Sequence, residues 1–552
     1  MKRAFSGLCL LALICSAAFC QSSDGAAKTE APATFELADV HASPKGGPVF
    51  FSGGILRAGR YVAKNATMVD LISTAYGVDA DKVQGGPSWL EKDRFDVIAK
   101  VPTGTTPDTV NVLLKALLLD RFKLVAHQDT KSLPVFVLSV GKGKPKLKEA
   151  ASAPDSGCDR RLDPENPTPG VVPTIIATCH NITMDAFAPI VQQYAAAYLT
   201  NPVIDSTGLK GNWDFEFRWT GRAQLGAAGA QGISIFDAMD KQLGLKLEAG
   251  KSPTPVILVD SVNEKPTDNP PGIAAALPPP PPAEFEVAVI KPSKPDAQLD
   301  GDISNGQVSL QATTLQFLVT FAWNLNPNAK QQIVGAPKWF DSDKFDILAK
   351  TSADVAAASA AAGANNGPPI DIDDLRHMLQ VLLIERFQMK VHMEERPIDA
   401  YTLTAANPKM KKADPTNRTG CKNGPGPDGK DPRIANPILN RLVSCQNITM
   451  TEFAEQLRSL AGGYLYTPVL DSTGLEGAWD FTLSFSAAGL VNGGGRGAPA
   501  QPSSDGTAAP DPNGALSLYD AVYKQLGLKL EKSKRPMPVL VIDHVEEKPT
   551  DN

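Results

Sequence analysis

Asp93-Arg94-Phe95-Asp96-Val97-Ile98-Ala99-Lys100 returns in the second half of the chain as Asp343-Lys344-Phe345-Asp346-Ile347-Leu348-Ala349-Lys350. Phe95, Val97 and Ala99 alternate with their neighbours, the two-residue period of a strand with one buried face. The double occurrence extends outward in both directions. Phe35-Glu36-Leu37-Ala38 returns as Phe285-Glu286-Val287-Ala288, and Gly85-Gly86-Pro87-Ser88-Trp89 as Gly335-Ala336-Pro337-Lys338-Trp339. Asn181-Ile182-Thr183-Met184 equals Asn447 to Met450, Asp205-Ser206-Thr207-Gly208-Leu209 equals Asp471 to Leu475, and Lys241 to Leu247 equals Lys524 to Leu530. Both copies close alike, at Glu264 to Asn269 and Glu547 to Asn552. The register shifts once, because Asp120-Arg121-Phe122 answers to Glu385-Arg386-Phe387. The second copy therefore carries an insertion, the alanine-rich stretch Ala356 to Gly367, which reads as a surface loop.

Such self-similarity means two homologous units, and 552 residues are too many for one hydrophobic core. The units read as domains spanning 34–269 and 284–552, joined by a proline-rich linker at 270–283. Proline fits neither a helix interior nor a central strand, so Pro270 to Pro282 should form an extended spacer.

A fainter repeat divides each unit again. Asn65-Ala66-Thr67-Met68 heads a helical pattern leading to Phe95-Asp96, and Asn181 to Met184 heads another leading to Trp213-Asp214. Thr67 is a good N-cap, Met68, Leu71, Ile72 and Ala75 recur at helical spacing, and Gly77 stops the turn. Val110 to Leu119 reads as a second helix, with Lys123 to Gln128 and Pro134 to Val140 as two strands. The expected fold class is therefore α+β, with each unit a pseudo-duplicated pair of helix-plus-mixed-sheet modules.

Export is written at the start of the chain. Met1-Lys2-Arg3 is basic and Leu8 to Phe19 is apolar, broken only by Cys9, Cys15 and Ser16, so residues 1–20 read as a signal peptide and 21–33 as a disordered segment. Cleavage after Cys20 is favoured over a lipid anchor on Cys20, because Phe19 is a poor neighbour for a lipidated cysteine. No later apolar run reaches the length needed to span a bilayer. Once the leader is removed, four of the seven cysteines remain, Cys158 and Cys179 in the first unit and Cys421 and Cys445 in the second. One disulfide per unit is the simplest of the three pairings, and it fits a periplasmic or extracellular protein. A zinc site is disfavoured, since His180 beside Cys179 becomes Gln446 in the other copy and no CxxC occurs. With net charge −6 and both signs interspersed, no basic stripe is available for nucleic acid.

The repeated blocks resemble the soil-associated family of secreted bacterial proteins of unknown function, abundant in acidobacteria. The resemblance lies in an opening strand (Phe35 to Ser43), the block Gly85 to Lys100, the block Leu117 to Leu147, the block Asp205 to Trp219 and the ending Gln242 to Asn269. It lies again in Phe285 to Ser293, Gly335 to Lys350, Leu382 to Lys412, Asp471 to Phe485 and Gln525 to Asn552. The resemblance implies export and relatives in which a similar domain follows a membrane metallopeptidase. It assigns no catalytic residues, and a tandem departs from the family's usual single copy.

Asp205, Trp213, Asp471 and Trp479 are the most conspicuous repeated polar and aromatic residues, and paired carboxylates can serve as acid and base. Yet Asp-Ser-Thr-Gly is turn chemistry, with glycine supplying a positive φ and the aspartate bonding the backbone. His127 and His392 recur without a second ligand at metal spacing and read as surface histidines. There is no GxSxG elbow, HExxH or phosphate-binding glycine loop, so no cofactor, metal or catalytic set is assigned. The expected function is non-catalytic binding of a small molecule, a glycan or a protein, in a cleft between half-units or between domains. The competing expectation is a secreted hydrolase built on the Asp/Trp region.

Overall fold

The chain's architecture follows from where its strands find partners. The structure, a computed structural model, describes residues 34–44, 51–57, 59–150, 155–163, 172–279, 284–304, 306–325, 330–353, 370–426, 429–491 and 514–550. The leader, the segment 21–33, the alanine-rich stretch and the last linker residues, 280–283, lie outside the described residues.

The first module of the first half contains β1 (Leu37–Ala42), β2 (Ser52–Arg57), β3 (Arg60–Thr67), α1 (Met68–Tyr76), β4 (Val83–Gly85), β5 (Arg94–Lys100) and α2 (Pro107–Phe122). Its antiparallel sheet has the order β1-β5-β3-β2. Alternate residues Phe95, Val97 and Ala99 point inward, as their period requires, and pack with α1 and α2 around Tyr61, Leu114 and Phe122. Thr67 caps α1 in a reciprocal box with Asp70, and Gly77 ends it at φ 64°.

Strand β6 (Val125–Val140) leads to the second module, with β7 (Lys148–Glu149), β8 (Gly157–Asp163), β9 (Thr174–Ile182), α3 (Met184–Tyr194), β10 (Val203–Asp205), β11 (Trp213–Thr220), a helical turn over Ile235–Leu243, and β12 (Leu245–Ser261). Its sheet has the order β7-β11-β9-β8, strand for strand the order of the first module. The two modules are locked together by exchange. In the mixed sheet β10-β6-β12-β4, the short strand of each module lies parallel to the long strand that ends the other.

The two strands expected at 123–128 and 134–140 are one, because β12 runs antiparallel beside the whole of β6 and pairs with one edge of it from end to end. Among the described residues the middle of this ribbon has no further strand beside it, since β4 reaches only Ile257 to Val259 and β10 only Phe136 to Leu138. Pro134, Pro253 and Pro255 sit in that two-stranded waist, where a missing N–H leaves no ladder partner unmet.

The second half repeats the plan with β13 (Val287–Pro292), β14 (Asp300–Ser304), β15 (Gln307–Thr314), β16 (Ile333–Val334), β17 (Lys344–Lys350), β18 (Lys390–Ala405), β19 (Lys411–Lys412), β20 (Gly420–Asn423), β21 (Arg441–Thr449), β22 (Val469–Asp471), β23 (Ala478–Phe485) and β24 (Leu528–His544). Its sheets are β13-β17-β15-β14, β16-β24-β18-β22 and β19-β23-β21-β20. The fold is α+β in two similar halves, each a duplicated module pair.

The linker is not an extended spacer over its described part. Ile273–Ala276 form a helical turn, Ile273 and Leu277 are buried, and the guanidinium of Arg60 donates to the Pro278 carbonyl. Proline flanks the turn without entering it, so the composition left room for a helix that the proline run itself forbids.

Candidate functional site

One structural device explains much of the repeated polar sequence. Just before the helix that follows β3, β9, β15 and β21, the strand bulges through a residue of positive φ: Asn65 (53°), Asn181 (47°), Ala312 (51°) and Asn447 (46°). An aspartate on the adjacent strand accepts that residue's backbone N–H, Asp96 from Asn65 at 2.9 Å, Asp214 from Asn181 at 2.8 Å, Asp346 from Ala312 at 3.1 Å and Asp480 from Asn447 at 2.8 Å. A bulge leaves an amide out of the ladder, and the carboxylate takes it up. The Asn-x-Thr-Met and Phe/Trp-Asp repeats are therefore two ends of one bond.

Asp205 and Asp471 are likewise engaged in their own turns. Asp205 Oδ1 accepts the Thr207 N–H at 2.8 Å, and Asp471 Oδ1 accepts the Thr473 N–H at 2.9 Å and its hydroxyl at 2.8 Å. Gly208 and Gly474 follow at φ 69° and 66°. Asp471 Oδ2 also accepts the Thr451 hydroxyl at 2.9 Å. Trp213 and Trp479 pack their rings against the cores of the second modules, with both indole N–H groups buried and unpartnered. The ammonium of Lys412 stands 4.0 Å from the Trp479 ring centre. Among the described residues no hydrogen bond joins either aspartate to its tryptophan: each aspartate closes its own turn, and each tryptophan lies in the strand that follows.

Cys158 is disulfide-bonded to Cys179, and Cys421 to Cys445, each directly opposite its partner across adjacent strands. His127 pairs with Asp260 at 2.8 Å and His392 with Asp543 at 2.7 Å, both half-exposed on the surface of the long ribbon. His180 is exposed, and Glu216 accepts the Thr178 hydroxyl at 3.2 Å. Among the described residues no three His, Cys, Asp or Glu side chains could hold a metal ion.

Sequence reasoning missed the role of Arg121. Its buried guanidinium donates to the Thr267 hydroxyl at 2.9 Å, to Asn269 Oδ1 at 2.7 Å and to the Ala38 carbonyl at 3.1 Å, holding the first half's ending against the edge of β1. Arg386 binds Ala288 and Thr550 in the same way. The signal was present in the Arg-Phe pair of Asp120-Arg121-Phe122 and Glu385-Arg386-Phe387 and in the Pro-Thr-Asp-Asn ending, which recur together.

Polar contacts join the two halves directly. Asp431 accepts from Arg222 at 3.0 Å and from Arg433 at 2.8 Å, with all three side chains under a tenth exposed. Glu91 accepts from Arg418 and Lys422, the Thr419 N–H donates to the Ser88 carbonyl, and Lys92 pairs with Glu452 at 2.8 Å. Beside Lys92, burial and a hydrogen bond to Glu264 push the Asp93 carboxyl above its ordinary range.

Among the described residues no helix is long and apolar enough to cross a membrane. No curated protein and no solved structure is significantly similar to the chain. A family model matches residues 69–262 and again 316–545, one match within each half, and on that doubled match the chain belongs to the family described as a protein of unknown function (DUF3738).

Proposed function

We propose that the protein is exported by the leader at residues 1–20 and acts in the periplasm or outside the cell by binding a small molecule, a glycan or a protein, without catalysis. Its two domains, 34–269 and 284–552, act as two presentations of one scaffold. Two disulfides fit an oxidising compartment. The observation that carries the reading is that the repeated carboxylates are occupied by the fold: Asp96, Asp214, Asp346 and Asp480 hold bulge amides, and Asp205 and Asp471 hold turns.

The test is the double substitution Asp205→Asn with Asp471→Asn. Weakened turn bonding should cost about 1 kcal/mol at each site in chemical denaturation. Binding of any fragment recovered from a screen of glycans and peptides should be unchanged. Turnover of a glycan or peptide by the natural chain, abolished by the double substitution with the fold intact, would establish the hydrolase instead.

A further inference from the structure

The folded part of the linker closes a cavity in the first half. Pro270 and Ile273 line one side of it, the end of α2 lines another, and the segment Thr34 to Ala38, which enters β1, lines a third. The volume is about 380 Å³, within the range of small-molecule sites. Its inner wall is apolar, built from the buried side chains of Phe35, Leu117 and Ile273. Ala116 lies beside them and leaves room that a larger residue would take. Counting from the aligned Arg121 and Arg386, the second half carries the bulkier Val381 at that place. The mouth is acidic, because the exposed residues Glu36, Asp120 and Asp268 all line the cavity.

The charges of the lining decide what would enter. Glu36 is neutralised by Lys100 at 2.6 Å. Arg121 is turned to the fold, its guanidinium donating to the Thr267 hydroxyl, to Asn269 Oδ1 and to the Ala38 carbonyl. Asp120 stands 3.8 Å from the Lys123 ammonium, a loose pair with both side chains in water. Among the described residues no ion pair engages Asp268. Three carboxylates thus line the cavity against one guanidinium, and two of the three are loosely paired or free. The last turn of α2 adds to the same side the partial negative charge of a helix C-terminus.

We infer that this cavity binds a small amphipathic cation, an amine whose apolar body packs on Phe35, Leu117 and Ile273 and whose ammonium lies between Asp120 and Asp268. The inference rests on the reading that the protein acts by binding, and deepens it by naming the class of small molecule and the half that takes it. An anion with the same body would bring its charge against the two carboxylates. A neutral molecule would gain the apolar burial alone.

The probe is 2-phenylethylamine, titrated into the mature chain and followed by ligand-observed NMR, with 3-phenylpropionate as an anion of the same body. Saturable binding of the amine is expected with a dissociation constant of about 1 mM, the scale for so few atoms. The anion should bind at least roughly fivefold more weakly, the worth of an exposed charge pair. Ala116→Leu, which puts a larger side chain into the space, should weaken the amine roughly tenfold or more. Asp120→Asn with Asp268→Asn should weaken it about fivefold, and these exposed positions keep the test open should Ala116→Leu disturb packing. Thermal unfolding of each variant should match the natural chain. Absence of saturable binding, equal or tighter binding of the anion, or undiminished binding of the amine by a folded variant overturns the inference. Asp205 and Asp471 lie outside the cavity lining, so their double substitution should leave the amine's affinity unchanged. Turnover lost in that double variant would overturn the binding reading with the amine still bound, so the two readings fail separately.

Discussion

The disulfide-bearing strands β8 and β20 take the same place in their sheets, and the residues flanking their cysteines differ in charge. Counting from the aligned cysteines Cys158 and Cys421, Asp155 and Asp159 in the first half stand where Arg418 and Lys422 stand in the second. Among the described residues only the second pair meets a partner in the other half, the Glu91 carboxylate, at 3.3 Å and 3.0 Å. The counterpart of Glu91 is Asp341, so the reverse docking would set acid against acid. Arg222 and Glu452 are one-sided in a weaker sense, answering to the uncharged Ala488 and Ala186, so the reverse docking would lack their ion pairs. Duplication supplied two identical surfaces, and the copies have differentiated where they touch, which fixes a single mutual arrangement by attraction in one pairing and repulsion in the other.

The largest effect should come from the buried triad that has no equivalent within either half. Asp431 is held below the usual carboxylate range, burial opposing the ionised form but the hydrogen bonds and charges of Arg433 and Arg222 prevailing. Asp431→Asn leaves two buried guanidinium groups uncompensated and should cost about 3–5 kcal/mol in urea denaturation. A loss below about 1 kcal/mol would mean that water reaches the triad and that the halves are joined elsewhere.

Removing a disulfide comes next. The paired substitutions Cys158→Ala with Cys179→Ala, and Cys421→Ala with Cys445→Ala, each open a loop of comparable sequence separation, 21 and 24 residues. Chain entropy gives about 3 kcal/mol for either. The halves should nevertheless differ, because β20 also carries Lys422, which donates to Glu91, whereas among the described residues no hydrogen bond or ion pair joins β8 to the second half. Limited proteolysis within 280–283 should therefore accelerate more in the second-half variant. Equal acceleration would show that docking does not depend on the strand the disulfide secures.

Much of this architecture was legible in the sequence. Thr67 and Gly77 mark the ends of α1 by local chemistry alone, and the period of Phe95, Val97 and Ala99 fixes the buried face of β5. What escaped was non-local. The continuity of β6 depends on β12, a partner more than a hundred residues away that makes a polar, proline-bearing stretch extended. The role of Asp214 depends on a bulge in a different strand, and a sequence shows neither positive φ nor adjacency. Asp205 was legible as turn chemistry because both ends of its bond lie within two residues. The docking of Ile273 was hidden by the prolines around it.

The fourfold bulge sharpens the comparison at a smaller scale. Asn65, Asn181 and Asn447 occupy a left-handed conformation that asparagine tolerates, whereas Ala312 occupies it with a Cβ and no compensating polar group. Ala312→Asn should stabilise the second half by about 1 kcal/mol, and Asn65→Ala should cost the first half a similar amount, both read from denaturation midpoints. Because Asp346 bonds the backbone N–H, neither change removes that bond. A destabilising Ala312→Asn would mean that the tight packing around this buried alanine, rather than its φ, governs the site.

The smallest effect is the pH response of the contact between Lys92 and Glu452, because both side chains remain partly in water and such pairs contribute roughly 0–1 kcal/mol. Two neighbouring carboxyls act there with opposite signs. Burial acts against ionised Glu452, but the hydrogen bonds from Lys92 and from Thr449 outweigh it, so its folded pKa lies below its unfolded one. Its contribution is present above the unfolded value and is lost as pH falls through the folded value. Asp93 is raised, first by burial and then by its bond to Glu264, so its contribution is present below the unfolded value and is lost as pH rises through the folded one. Glu452→Gln should therefore flatten the acid limb of a stability–pH profile, and Asp93→Asn should flatten the limb just above the ordinary aspartate pKa. If both variants changed the same limb, the two carboxyls would be titrating as one unit across the junction of the halves. The first half's turn and the second half's helix would then share a proton as well as an ion pair.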